Sequence, residues 1–222
     1  MPGISHLNRR WLGRQTFRYE NDEFHYFCHP YNIAWRNERA VEIPVFRKHL
    51  EEAQQRGGHI LEVGNVTSHY FQTSHDIVDK YETTPKTLNV DIADFEPSHP
   101  YDLIISISTL EHIGFDEVES GSGKVLSEAD PHKSRTVAER LRQLLAPHGL
   151  LVISVPRGYN AVLDRQVDEG SLPFEHYVFM RRKDWANRWE QCSAEKIKPI
   201  AYGRPYPGAN GVVFGYACGR QV

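Results

Sequence analysis

Tyr101 to Ser108 reads YDLIISIS. Leu103, Ile104, Ile105 and Ile107 leave no polar alternation, so a strand here is apolar on both faces. A two-sided strand needs cover on both sides, which in single domains means a mostly parallel sheet with helices packed over it. Leu150 to Val155 repeats the pattern. A third run opens HILEVGNVTSHY, His59 to Tyr70: Ile60, Leu61 and Val63 are closed by Gly64 and followed by small polar residues. That reads as a buried strand delivering a tight turn. Glu62 lies inside the run, where a carboxylate is costly unless donors meet it. Ligands of open α/β sheets bind beyond the carboxyl ends of strands. Glu62 and Gly64 are therefore the first candidates for a ligand site.

The remaining elements follow in order. Thr16–Tyr19 and Phe24–Cys28 flank a polar tip and suggest a hairpin within a basic, aromatic N-terminal stretch, residues 1–37. Those aromatics either cap a substrate cleft or pack onto the main domain, residues 38–222. Asn37 to Gln55 has helical periodicity, with Pro44 as a first-turn residue or a kink and Gly57-Gly58 as the stop. Asp76–Asp79 and Thr87–Val90 are short strand candidates. Only 11 residues, Asn65 to His75, separate the first of these from Gly64, so any crossover helix there is short. Arg135 to Leu145 reads as an amphipathic helix. Arg181 to Gln191 reads as a helix with Trp185 and Trp189 four apart, and Ile197–Ala201 and Val212–Ala217 read as strands.

Composition bounds the function. With 222 residues, 40% hydrophobic and 25% charged, the chain fits one sizeable α/β domain with a small appendage. A net charge of −3 lacks the basic stripe of a nucleic-acid binder. No run of about 18 apolar residues suggests a membrane span, and the N-terminus lacks the apolar core of a signal peptide. Cys28, Cys192 and Cys218 are far apart and in no metal spacing, which suits a reduced, cytoplasmic protein. Without a signal peptide, the sequon at Asn65-Val66-Thr67 is coincidental. Gly121-Ser122-Gly123-Lys124, in the acidic and glycine-rich stretch 114–133, is not a phosphate-binding loop: Val118 stands where the first glycine belongs and Val125 follows the lysine. There is no HExxH, no CxxC and no paired histidine spacing, so no metal is expected.

The order of these pieces resembles a class I S-adenosylmethionine-dependent methyltransferase over roughly Arg39 to Val155. LEVGN at 61–65 is similar to the family's first motif. Asp79 and Asp91-Ile92 are similar to the acids ending its second and third strands. YDLIISISTLEHI at 101–113 and LRQLLAPHGLLVISVP at 141–156 resemble its fourth and fifth strands with their flanks. NERAVEIPV from Asn37, with EVGN and SHY, also resembles an uncharacterised methyltransferase-like subgroup loosely associated with surface polysaccharide. The resemblance implies a Rossmann-like, doubly wound, mostly parallel seven-stranded sheet with its last strand antiparallel, carrying a small aromatic N-terminal extension. The departure is in the glycines: Gly64 is followed by Asn65 and Val66 where the family carries GxGxG. Asn tolerates a left-handed turn, whereas Val66 narrows the space for the methionine end of a cofactor.

Further implications concern the site. S-adenosylmethionine is the expected cofactor, with Asp79 accepting ribose hydroxyls and Asp91 accepting the adenine amino group beside Ile92. Gly64 and Asn65 would lie on the methionine end, and Glu62 would orient the loop or meet the ammonium through water. Ser108 and Thr109 follow the fourth strand over the transferred methyl. His112, oriented by Glu111, is the candidate general base for a hydroxyl acceptor. Tyr159, Asn160, His69 and Tyr70 are further candidates to face substrate. The expected partner is a small-molecule or sugar substrate, with no nucleic acid and no membrane; oligomeric state is left open. Two rivals stand beside methyl transfer: a nicotinamide oxidoreductase, which needs the missing GxGxxG, and a non-catalytic methyltransferase-like partner or scaffold in a biosynthetic pathway.

Overall fold

The computed structural model describes residues 8–115, 130 and 132–220. Most of the 114–133 stretch, including Gly121 to Lys124, lies outside the described residues. The described strands are β1 (Thr16–Tyr19), β2 (Asp22–His25), β3 (Ile60–Val63), β4 (Asp76–Val78), β5 (Thr87–Leu88), β6 (Tyr101–Ile107), β7 (Leu145–Pro156), β8 (His176–Arg182), β9 (Trp189–Cys192) and β10 (Gly211–Cys218). The helices used below are α1 (Arg39–Gln55), α2 (Lys133–Gln143), α3 (Ala161–Asp168) and α4 (Ala194–Ile197). β1 and β2 form a separate hairpin; the other eight strands form one sheet in the order β5-β4-β3-β6-β7-β10-β8-β9. The β5 to β7 side is parallel throughout. β10 runs antiparallel to β7, because Arg157 N–H donates to Gly211 O at 2.9 Å while Gly219 N–H donates to Gly149 O at 2.8 Å. The sheet thus has eight strands where the resemblance implies seven, and the extra strand is β9.

That strand replaces the helix expected over 181–191. β8 and β9 pair antiparallel, with Arg182 opposite Trp189. Asn187 takes a left-handed φ of 64° at the turn, which no continuous helix allows. Trp185 is 70% exposed and Trp189 is 3% exposed, so the pair four apart does not share a face. The strand expected at Ile197–Ala201 is also corrected: Ile197 ends the short helix α4 and its side chain is buried.

Contacts divide the chain into two compact units. One comprises the residues up to His49, Pro156–Tyr159 and Val178–Val213. In it, Pro44 lies inside α1 and offers no N–H, so the Ala40 carbonyl it would have bonded accepts instead from Phe27 N–H at 2.9 Å. The Tyr26 hydroxyl receives the Trp189 backbone N–H at 2.8 Å.

The second unit comprises Leu50–Val155, Asn160–Tyr177 and Phe214–Val222. Its core is the two-sided strands: all of β3 is buried, as is every residue of β6 except Asp102. Val137, Ala138 and Leu141 of α2 are buried at helical spacing. β3 lies between β4 and β6, so the chain runs outward through β4 and β5 and returns on the other side of β3. That reversal is a topological switch point, where a crevice opens past the strand ends. Between Gly64 and β4 there is only the 3-10 turn Thr67–His69. No helix among the described residues is long and apolar enough to cross a membrane.

Candidate functional site

Register brings the strand ends level. Val63 pairs with Val78 on one side and Ser106 on the other, so the chain leaves β3, β4 and β6 at one height. A cleft of about 350 Å³ opens there, within the second unit. Its walls include Gly64 after β3, Asp79, Lys80 and Tyr81 after β4, Asp91 and Ile92 after β5, and Thr109 and His112 after β6. Val63, Val78, Val90 and Ile113 also line it, and its surface is mainly apolar. Such a volume, mainly apolar with few convergent polar groups, suits a small ligand.

Asp79 organises the turn after β4. Its Oδ1 accepts from Tyr81 and Glu82 N–H, both at 2.8 Å, and its Oδ2 accepts from Asn65 N–H at 2.9 Å. A carboxylate has about four acceptor positions, so one remains, on Oδ2. The two hydroxyls expected at Asp79 therefore reduce to one. Asp91 begins a 3-10 turn, its Oδ1 accepting from Ala93 N–H at 3.0 Å. Lys80 Nζ and Lys133 Nζ both reach its Oδ2 at 3.0 Å. Burial pushes the Asp91 carboxyl up, but the bonds from Ala93, Lys80 and Lys133 outweigh it and hold the group at about 2. One acceptor position remains here too, on Oδ1.

Glu62 is fully buried and is not a wall of the cleft. Its Oε1 accepts from Val66 N–H at 2.9 Å and Thr67 N–H at 2.8 Å; its Oε2 bonds the Thr67 hydroxyl and His75 Nε2, the latter at 2.8 Å. It holds the loop after β3, and no acceptor is left for an ammonium. Asn65 is likewise turned inward, its side chain bonded to Glu82 and Ser68. Ser108 takes a left-handed φ of 41° at the exit of β6, which is strained for a non-glycine residue. This bend delivers Thr109 to the cleft while Ser108 itself stays off the wall.

His112 lies on the wall with Nε2 3.8 Å from Glu111 Oε1; its side chain is 48% exposed and that of Glu111 is 2% exposed. Asn160 is engaged within the fold. It is buried, caps α3 by accepting from Val162 and Leu163 N–H, and donates to Glu111 O at 2.9 Å. His69 pairs with Glu82 at 3.0 Å, and Tyr159 packs edge-on to Tyr202. Sequence reading missed Lys80, Tyr81 and Lys133. Lys80 and Tyr81 directly follow Asp79 and were within reach of the strand-end rule. Lys133 is 42 positions from Asp91, and only the fold joins them.

No family model matches the chain, and no curated protein matches it. Among solved structures, the N-methyltransferase NodS of Bradyrhizobium japonicum WM9 is similar at 14% identity and a TM-score of 0.41, over 81% of this chain and 99% of that one. An S-adenosylmethionine-dependent methyltransferase of Clostridium acetobutylicum ATCC 824 is similar at 9% identity and 0.38, over 78% and 89%. CalS10, an amino pentose methyltransferase of Micromonospora echinaspora, is similar at 16% identity and 0.34, over 61% and 58%. Scores this low leave the activity to be argued from the cleft itself.

Proposed function

We propose that the chain moves a methyl group from S-adenosylmethionine to an oxygen of a small-molecule or sugar acceptor. The observation that carries this reading is the cleft at the switch point, with one open acceptor position on Asp79, one on Asp91 and apolar walls between. These groups fit an adenosyl ligand. Asp79 Oδ2 would accept one ribose hydroxyl and Asp91 Oδ1 an adenine N–H, with charged acceptors making the stronger bonds. Val78, Val90, Ile92 and Ile113 would enclose the base. When bound, the cofactor supplies an electrophilic methyl on a sulfonium. His112, on the cleft wall with Glu111 Oε1 3.8 Å from its Nε2, is the side chain we assign to take the acceptor's proton. The rest of the rate would come from holding the acceptor in line.

A second reading is favoured by one observation. Thr109 lies over Gly64, the residue expected to meet the methionine end of a cofactor. In that reading the chain is a non-catalytic methyltransferase-like partner in a biosynthetic pathway, and the surface-polysaccharide association of the resembled subgroup belongs with it.

A thermal melt separates the two. Ligand at 100 times its dissociation constant stabilises by about 2.7 kcal/mol, a shift of roughly 5–10 °C for a chain of this size. Methyl transfer expects that shift with S-adenosylmethionine or S-adenosylhomocysteine, none with NAD, and its loss in Asp79→Ala. No shift at millimolar adenosyl ligand rejects the methyltransferase and leaves the partner protein.

A further inference from the structure

The first unit holds a second cavity of about 500 Å³, lined by Arg9, Arg10, Gly13, Arg14 and Cys28. Residues 8–12 are helical, and the turn closes on Gly13, whose N–H donates to Arg9 O at 3.0 Å. A side chain at Gly13 would begin in van der Waals contact with Cys28 Sγ, 3.5 Å away. Arg10 and Arg14 are four apart, which places them on one side of the turn.

The Arg9 guanidinium is held in place. It lies 5.2 Å from the centre of the Trp35 ring, and its Nη2 donates to Cys28 O at 3.4 Å. Arg10 and Arg14 are exposed. None of the three forms an ion pair with a carboxylate among the described residues. Cys28 offers no counter-charge: burial pushes its thiol up, more than Arg9 pulls it down, and it stays protonated. Three arginines thus line one cavity, with no carboxylate partner among the described residues, on a chain whose net charge is −3.

Guanidinium forks match oxyanions bidentately. A single carboxylate has two oxygens and is satisfied by one fork. A terminal phosphate has three oxygens and about −1.5 to −2 charges, which can engage all three arginines. We infer that this cavity is a phosphoryl-group site, taking the phosphate or diphosphate end of a ligand. The inference is independent of the cleft and of the methyl-transfer reading.

The test is calorimetric titration of the full chain with inorganic pyrophosphate and with uridine diphosphate, using citrate as a carboxylate control. The variant is R10Q/R14Q; both positions are exposed, so an unchanged melting temperature is expected. Pyrophosphate should bind, weaken with salt, and lose about tenfold or more in affinity in the variant. Sedimentation with phosphatidylcholine vesicles, with and without phosphatidic acid, separates the sources. Binding only to the phosphatidic acid vesicles, sensitive to the same variant, supports the site with a lipid headgroup as source. Binding of the soluble ligands alone supports it with a soluble phosphate ester. No binding of any phosphate at millimolar concentration, equal affinity in R10Q/R14Q, or equal affinity for citrate overturns the inference.

Discussion

Thr109 rests on the Cα of Gly64: its Cγ2 and Cβ lie 2.7 and 2.9 Å from where a side chain at position 64 would begin. Gly64 also holds a left-handed φ of 84°. The one glycine of the loop is therefore required by the exit of β6 and by its own backbone, before any ligand is considered.

Gly64→Ala should destabilise the chain by about 3 kcal/mol, combining overpacking with an unfavourable φ. For a chain of this size that is roughly 6–12 °C in melting temperature. Thr109→Gly in the same molecule removes the colliding atoms and should restore most of the loss, leaving only the backbone strain. Equal melting temperatures for the single and double variants would show that Thr109 is not the obstacle.

Glu62→Gln tests the loop anchor. The buried carboxylate accepts from Val66, Thr67 and His75, and an amide replaces one acceptor oxygen with a donor facing donors. The expected cost is about 2–3 kcal/mol in urea denaturation, from charge-assisted bonds lost and a buried group left mismatched. A cost below about 0.5 kcal/mol, the range of an ordinary surface change, is incompatible with this role.

Asp91→Asn tests the clamp that Lys80 and Lys133 form. The folded carboxyl sits at about 2, below its ordinary value, so the ionised form carries the stability. That contribution is fully present above about pH 4 and is lost as pH falls toward about 2. With its side chain 18% exposed, screening reduces the contribution to about 1–2 kcal/mol. Denaturation midpoints of the native chain and the variant should differ at neutral pH and converge on acidification. A gap that stays constant with pH removes the ion pairs as its cause.

His112→Ala should lower kcat toward a hydroxyl acceptor by about 10²–10⁴ while leaving the melt shift with S-adenosylhomocysteine intact. A variant that keeps kcat assigns His112 to the wall of the cleft alone.

The parallel core was legible because it depends on composition along single strands. Ile60–Val63, Tyr101–Ile107 and Leu150–Val155 are mainly apolar and bury side chains on both faces, which the middle of a covered sheet accommodates. Asp79 and Asp91 were singled out through the resemblance, which sets acids at these strand ends, and both lie on the wall of the cleft. The stretch 181–191 was misread because its two tryptophans have helical spacing, whereas what decides it is pairing: Trp189 N–H meets the Tyr26 hydroxyl 163 positions away. The helix cap made by Asn160 was not foreseen, since a position just after a strand suits a substrate contact and a helix cap equally well.

The sequence by itself determined where the chain is buried on two sides, where strands end and which acids stand at those ends. Only the tertiary structure decided how the charged groups find their partners. Donors to Glu62 come from a loop and from His75, those to Asp91 from Lys80 and Lys133, and the guanidinium of Arg9 is held by Trp35 and Cys28. The physical reason is range. Hydrophobic burial is a property of a short segment, whereas hydrogen bonds and ion pairs act over a few ångströms between residues that only the folded chain brings together.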